Sequence, residues 1–204
     1  MIAQTGSIPR SSAAAIASSL RLKQYPGALP RLGLFISKSA SLPEILQLAP
    51  PCSCEDCGHG CTMGSGFLAE GDKEKLAAFL GISVQSLEKE YLEETYLFNK
   101  KVWKPKLLRE GKPYGKCVFY ENGCKVHPSK PLQCKVAMGC KEYGEELQLW
   151  FMLNHLIDKE DPESVRQFAQ YLKAGGKTLP GGELNDLVPD KKQLREILSY
   201  ERLR

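Results

Sequence analysis

The chain has 204 residues, of which 42% are hydrophobic and 25% are charged, and its formal net charge is +4. These values are typical of a soluble chain with one well-buried domain, and they exclude a chain that is disordered throughout. No run of about 18 uncharged apolar residues is present, so we expect a soluble protein without a membrane-spanning helix.

The positive charge is concentrated in the first 43 residues. This segment contains five basic residues and no acid, which leaves 23 basic and 24 acidic residues in the rest of the chain. The near-neutral remainder has no stripe of Lys and Arg interleaved with aromatic residues, so we predict no nucleic-acid binding. The sequence therefore indicates two parts, an N-terminal segment over residues 1–43 and a domain over residues 44–204.

Residues 1–43 are also rich in Ser and Ala. Organelle transit peptides and disordered tails share that composition, and so does sequence that lies upstream of the true translation start. The residues alone do not separate these three possibilities. We expect a cytoplasmic protein, because a reducing compartment keeps thiols available as ligands. Import into an organelle is expected if the segment is a transit peptide.

Helical periodicity dominates the domain outside its cysteines. Asp72 and Ser83 are expected to cap two of the helices, and Leu76, Phe79 and Leu80 are expected to lie on one face of the first of these. The predicted helices cover residues 72–80, 83–91, 145–157, 162–173 and 191–203.

Strand signals are weaker. Residues 97–108 indicate an irregular connection or a short strand. The pair Asn122-Gly123 favours a hairpin turn, which predicts a small β-hairpin between residues 117–120 and 124–127. The expected fold is therefore mainly α with a small β-hairpin, arranged as a cysteine-rich, metal-centred domain.

All eight cysteines fall into two short segments with 55 residues between them, and none lies in a predicted helix. A disulfide framework suits small secreted domains, and this chain shows no convincing secretory signal. A Cys-x-x-Cys redox pair is seldom surrounded by six further thiols. Metal ligation is the interpretation that remains. The predicted ligands are Cys52, Cys54, Cys57 and Cys61 in the first segment and Cys117, Cys124, Cys134 and Cys140 in the second.

Two kinds of metal centre fit these thiols. Zinc takes four ligands in a closed tetrahedron, so two zinc sites would use all eight cysteines. An iron-sulfur cluster also takes four thiolates, and the spacing Cys54-x2-Cys57-x3-Cys61 is similar to part of a ferredoxin run that here lacks its final proline. His59 and His127 lie within the two segments, and either can replace a thiolate or form a hydrogen bond to one.

The cysteine segments resemble the CxxCxxCC or YkgJ-type family of cysteine-cluster proteins, which are described as zinc- or iron-chelating domains. The matching residues are Cys54, Cys57, Gly58, Cys61, Cys117, Phe119, Gly123, Cys124, His127, Lys130, Pro131 and Cys134. The family has two adjacent cysteines at the position of Gly60-Cys61. It usually has Tyr at the position of His127 and Arg at the position of Lys130. We therefore consider Cys52 and Cys140 as candidates for replacement thiolates.

The resemblance implies a function as well as a metal. Some members of the family are implicated in iron-sulfur binding, including a domain similar to that of flagellin lysine methylases. The resemblance therefore favours an iron-sulfur cluster, of the 4Fe-4S type, with a redox or accessory role in a modification reaction and an unknown protein or redox partner. The alternative is a zinc-binding structural or interaction module without catalysis.

The sequence leaves the question of an enzyme open. It contains no glycine-rich cofactor loop after a strand and no recognisable catalytic triad or phosphate loop. An enzyme that uses an open metal position is a third interpretation, and it predicts fewer than four protein ligands at the metal.

Overall fold

The computed structural model describes residues 36–136 and 143–199. The chain divides into two units, Met1–Ile36 and Ser37–Arg204, and every helix and strand described below lies in the second. The predictions for residues 1–35, for Cys140 and for the end of the last helix fall outside the described residues.

Helices dominate the described residues, as the sequence predicts. Over these residues the α-helices are α1 (Leu42–Leu48), α2 (Glu55–Met63), α3 (Asp72–Leu80), α4 (Val84–Tyr91), α5 (Leu132–Val136), α6 (Gly144–Phe151), α7 (Pro162–Lys173), α8 (Leu184–Leu187) and α9 (Lys191–Leu198). A 3₁₀ turn covers His127–Ser129, and a π-helix covers Met152–Leu156 directly after α6. No helix in the described ranges is long and apolar enough to span a membrane.

The main hairpin lies where the sequence indicates only an irregular connection or a short strand. Strands β1 (Leu92–Leu97) and β2 (Lys100–Pro105) pair antiparallel. They are joined at Phe98 and Asn99, which both have positive φ angles, 47° and 60°. Two consecutive left-handed residues form the type of turn whose twist matches paired strands. The turn lacks glycine, so its sequence gives a weak signal.

The hairpin predicted over residues 117–127 is wrong in extent. The structure has one isolated bridge there, between Tyr120 and Cys124. The turn at Asn122-Gly123 forms as expected, with φ angles of 50° and 139°. The backbone of the first predicted strand pairs elsewhere, because β4 (Lys116–Cys117) is antiparallel to β3 (Leu107–Leu108).

The insert between the cysteine segments contains α3 and α4. Ser83 caps α4 as predicted, since its hydroxyl accepts a hydrogen bond from the Ser86 amide at 3.0 Å. Phe79, on the predicted apolar face of α3, is 44% exposed. The helical period places Phe79 beside Leu76, but among the apolar residues of α3 only Leu76 and Ala77 are fully buried.

Asp72 has a different role from the predicted cap. It is the first residue of α3, and the preceding Gly71 is the N-cap. The Asp72 Oδ2 atom accepts hydrogen bonds from the Ala69 amide at 2.9 Å and from the Leu132 amide at 2.7 Å. This buried carboxylate therefore joins the insert to the start of α5, which carries Cys134.

The hydrophobic core of the insert reaches the second cysteine segment. Leu76, Leu87 and Leu92 are buried in it together with Phe119 and Val126. Phe119 stacks on Tyr91, with ring centroids 5.4 Å apart. The core also takes in the Cys117 side chain, with Cys61 and Cys124 packed against it. The predicted site is thus built onto the core.

We expect Asp72→Ala to lower the free energy of unfolding by roughly 1–3 kcal/mol, because two backbone amides lose their acceptor. Asp72→Asn should lose less, because one amide oxygen can still accept. Urea unfolding followed by circular dichroism measures both. Glu74→Ala, which removes an exposed acid from the same helix turn, is the control. Equal stability of the Asp72→Ala and Glu74→Ala variants would contradict the proposed bridge.

Candidate metal centre

The seven described cysteines all line one cavity of about 720 Å³. The cavity lies between α2, the turn at Asn122-Gly123 and the start of α5. The two cysteine segments are therefore adjacent in space despite the 55 residues between them. Cys140, the eighth predicted ligand, lies outside the described residues.

The first cysteine segment is helical, whereas the sequence indicates a loop. Cys54 is the N-cap of α2, and Cys57 and Cys61 lie one turn apart on it. Residues four apart share a helix face, so both sulfurs can face the same cavity. Gly58 lies against Tyr120, and a Cβ added there would be 2.6 Å from the tyrosine Oη. This close approach explains why residue 58 is a glycine.

Three thiols form a close group at the start of α2, which we call the cysteine triad: Cys52, Cys54 and Cys57. Their sulfurs all lie within 4.8 Å of one another. The Cys54 and Cys57 sulfurs are 3.6 Å apart. Among the described residues, this is the group of three potential metal ligands whose atoms all lie within 4.8 Å of one another.

The other four described thiols, Cys61, Cys117, Cys124 and Cys134, form the cysteine quartet. Burial raises the pKa of the Cys117 and Cys134 thiols to about 12. Burial also raises the pKa of Cys61 and of Cys124. Each of the other three quartet thiols further raises the pKa of Cys134, so the four lie close enough to repel one another when charged. A metal ion that binds them must therefore displace protons and neutralise negative charge.

Backbone amides face three of the quartet sulfurs. The Phe119 amide donates to the Cys117 sulfur and the Val126 amide to the Cys124 sulfur, and both lower the pKa of the thiol they contact. The donor is two residues after the cysteine in each case. The Gly66 amide donates to Cys134 and has the same effect on its pKa. Donors of this kind stabilise metal-bound thiolates.

Lys130 supplies positive charge to the quartet. It lines the cavity and is only 6% exposed, so it is not an exposed loop lysine. Its ammonium lowers the pKa of Cys61 and of Cys124. A buried lysine among thiols favours their charged, metal-binding form. The sequence offered one signal for this role, the position of Lys130 within the family motif.

Contacts from the segment after α2 hold Cys134 in place. A Cβ added at Gly66 would lie 2.5 Å from the Cys134 sulfur and 3.1 Å from its amide nitrogen. The Phe67 amide donates to Gln133 Oε1, and Gln133 Nε2 donates to Gln148 Oε1 at 3.0 Å. Sequence reasoning missed Gln133 and Gln148, because neither lies in a recognisable spacing with the cysteines.

The two histidines of the cysteine segments differ in their contacts. The His127 Nε2 atom lies 3.1 Å from the Cys52 carbonyl oxygen, so it joins the triad to the second segment. His59 is exposed and lines the same cavity. His127 thus contacts the backbone of a cysteine, which supports a positioning role for this side chain.

The fold and the site define a class of protein, a mainly helical domain with a cysteine cluster that could hold a metal. Residues 53–151 match the model of the CxxCxxCC family, which is described as a putative zinc- or iron-chelating domain. This segment of the chain is therefore similar to the family, as the cysteine spacing predicts. No curated protein and no solved structure gives a significant match to the chain.

We expect Gly66→Ala to lower the metal content per chain and to destabilise the protein by roughly 1–3 kcal/mol, because the added methyl group displaces Cys134. Elemental analysis of the purified protein measures the metal. Gly64→Ala is the matched control, because a Cβ at Gly64 meets nothing within 4 Å. Full metal content in the Gly66→Ala variant would show that this contact does not position the thiol.

Proposed function

We propose that the cysteine quartet holds an iron-sulfur cluster of the 4Fe-4S type, and that the protein uses it in a redox or accessory role in a modification reaction. The observation that carries this proposal is the arrangement of four thiols around one cavity, beside the core, with Lys130 and three amides directed at their sulfurs. Four thiolates are the usual ligand set of such a cluster.

The spacing of the sulfurs supports a cluster in the quartet. Four thiolates around one zinc ion lie about 3.8 Å apart, given Zn–S bonds of about 2.3 Å in a tetrahedron. The quartet thiols interact electrostatically, but among the described residues they form no group of three within 4.8 Å. A cluster places several metal atoms between its ligands and so accommodates more widely spaced sulfurs.

The surroundings of the quartet suit a redox centre. A bound cluster would supply one-electron chemistry, which no protein side chain of the quartet provides. Phe119 and Val126, which are 3% and 1% exposed, form an apolar wall that keeps water from one side of the cavity. Lys130 and the amide donors offset negative charge, and this favours the reduced state of a bound centre.

The cavity also offers a route for a redox partner. Asn122 is exposed and lines the cavity, and the half-buried Cys124 follows it after one residue. Electron transfer requires close approach to a ligand, and this turn is the short path from solvent to a quartet sulfur. We therefore place the contact with an unknown redox or protein partner at Asn122-Gly123.

The second candidate is a zinc-binding structural or interaction module without catalysis. The 3.6 Å distance between the Cys54 and Cys57 sulfurs favours it, because that distance suits two ligands of one zinc ion. On this proposal, zinc would bring the two cysteine segments together and contribute to folding.

Anaerobic purification from iron-supplied cells, followed by analysis of iron, zinc and acid-labile sulfide and by a visible spectrum, tests the proposal. We expect iron with matching sulfide and a visible absorption, both lost in Cys117→Ser and Cys134→Ser. Thr62→Ser, a change at an exposed position of α2 next to Cys61, is the control that should retain the centre. Zinc in the quartet without sulfide would favour the second candidate.

If the centre is redox-active, Lys130→Gln should lower its midpoint potential by tens of millivolts, because a nearby positive charge is lost. A redox titration monitored by the visible spectrum measures the shift. Lys125→Gln is the control, because Lys125 is exposed and paired with Glu121. The same potential in the Lys130→Gln variant and the unchanged protein would contradict the role assigned to this lysine.

A further inference from the structure

We infer that the protein has a second binding site, apart from the cysteines, which takes a small zwitterion of the amino-acid type. The site is a cavity of about 370 Å³, which we call the second cavity, between the segment leading into α3, strand β2 and the π-helix. None of its lining residues lines the cavity of the cysteines. The inference therefore goes beyond the proposed function and does not depend on whether the thiols hold a cluster or zinc.

Two groups of opposite charge face the second cavity without an ion pair among the described residues. Its lining includes three lysines and one acid. Lys73 and Lys101 each pair with a glutamate that lies outside the lining. Lys100 and Glu70 take part in none of the ion pairs within the described ranges, so their charged atoms are more than 4.0 Å apart. A ligand that carries both charges fits between them.

Both groups lie close to one ring of the cavity wall, that of His155. Burial and the nearby Lys100 ammonium lower the pKa of the His155 imidazole, and carboxylates that include Glu70 raise it. A ligand whose carboxylate meets Lys100 and whose ammonium meets Glu70 gains two charge-assisted hydrogen bonds. A simple anion would gain the first and be repelled by Glu70. The charges therefore favour a zwitterion.

The π-helix contributes Asn154 and His155 to the wall of the second cavity. Its wider turn is closed by the hydrogen bond from the Ile157 amide to the Met152 carbonyl oxygen, at 3.1 Å. Single turns of this kind occur frequently at functional sites. The Nε2 atom of His155 is buried and has no hydrogen-bond partner among the described residues, which is costly unless a bound group supplies one.

Strand β2 presents an open edge to the second cavity. The Trp103 carbonyl oxygen accepts a hydrogen bond from the Leu68 amide at 2.8 Å, so the backbone of Trp103 faces away from β1. Residues two apart in a strand direct their backbone groups to the same side, so those of Lys101 also face away from β1. In the described part of the chain, β1 and β2 form a two-stranded sheet, and no third strand covers this edge. Amino acids and peptides carry matching donors and acceptors.

The apolar part of the lining indicates the side chain of the ligand. Leu68 and Val102 are buried there, and Trp103 is half-buried. The Nζ atoms of Lys73 and Lys101 lie 4.3 Å and 5.3 Å from the centre of the Trp103 ring, so the indole also orders two lysines of the wall. The volume is at the lower end of the range for ligand pockets, about 300–1,000 Å³. We therefore assign the cavity to an amino acid with an apolar side chain, or to a dipeptide that ends in one.

Isothermal titration calorimetry of the full-length protein with L-leucine and with glycyl-L-leucine tests the inference. Two analogues separate the charges, because N-acetyl-L-leucine lacks the ammonium and L-leucinamide lacks the carboxylate. We expect each analogue to bind about tenfold or more weakly than leucine, since each loses one charge-assisted hydrogen bond. Absence of binding by both leucine and the dipeptide would overturn the inference. Equal binding of leucine and its two analogues would overturn it as well.

Substitutions then assign each charge to a residue. Glu70→Gln should weaken leucine binding about tenfold and abolish the preference for leucine over N-acetyl-leucine. Lys100→Gln should abolish the preference for leucine over leucinamide, and Lys100→Arg, which keeps the charge, should retain it. Glu74→Gln and Lys75→Gln are matched controls on α3, because both side chains are exposed and lie outside the cavity. Unchanged preferences in the Glu70→Gln and Lys100→Gln variants would count against the site.

Metal content, measured on the same samples, separates this inference from the proposed function. All five variants should contain as much iron, sulfide or zinc as the unchanged protein, because no lining residue of the second cavity is a predicted metal ligand. A protein that lacks an iron-sulfur cluster and still binds leucine with these preferences would support the inference and contradict the proposed function.

Discussion

Negative charge on thiolates packed against a hydrophobic core is the constraint on which this domain depends. Burial raises the pKa of Cys117 and Cys134 to about 12, so any metal that binds these thiols would have to displace their protons. The fold then has to offset the charge of the thiolates. It does so with the buried Lys130 and with amides that point at sulfurs, and both depend on the path of the second cysteine segment.

That path is fixed by contacts from elsewhere in the chain. The Asp72 carboxylate joins α3 to the Leu132 amide, and Gln133 joins the start of α5 to Phe67 and Gln148. Cys134 lies within these contacts and against Gly66. The helical insert therefore does more than separate two cysteine segments, because its first helix is bonded to the start of the helix that carries Cys134. Stability of the insert and geometry of the site are consequently linked.

The sequence predicted the mainly helical fold because caps and apolar periodicity act over a few residues, as at Ser83 and along α7. It missed α2, because the glycines at 58 and 60 each disfavour a helix by about 1 kcal/mol and only tertiary packing offsets this. It also missed the β1–β2 hairpin, whose turn at Phe98 has no glycine. The metal-binding character followed from cysteine spacing. The burial of Lys130 did not, because it depends on residues distant in the chain.

The two thiol groups contain the same kind of side chain in surroundings that differ in part. The quartet has an apolar wall, a buried ammonium and amide donors, and these favour a centre that stays in place. The triad combines an exposed thiol, Cys54, with a buried one, Cys57, and two acidic residues follow Cys54 in the first turn of α2. Cys57 and Cys61 lie one turn apart on α2, so this one helix contributes to both groups. Cys54 at the N-terminal end of α2 is exposed, Cys57 is buried and Cys61 is half-buried, so one short helix places three thiols in different environments.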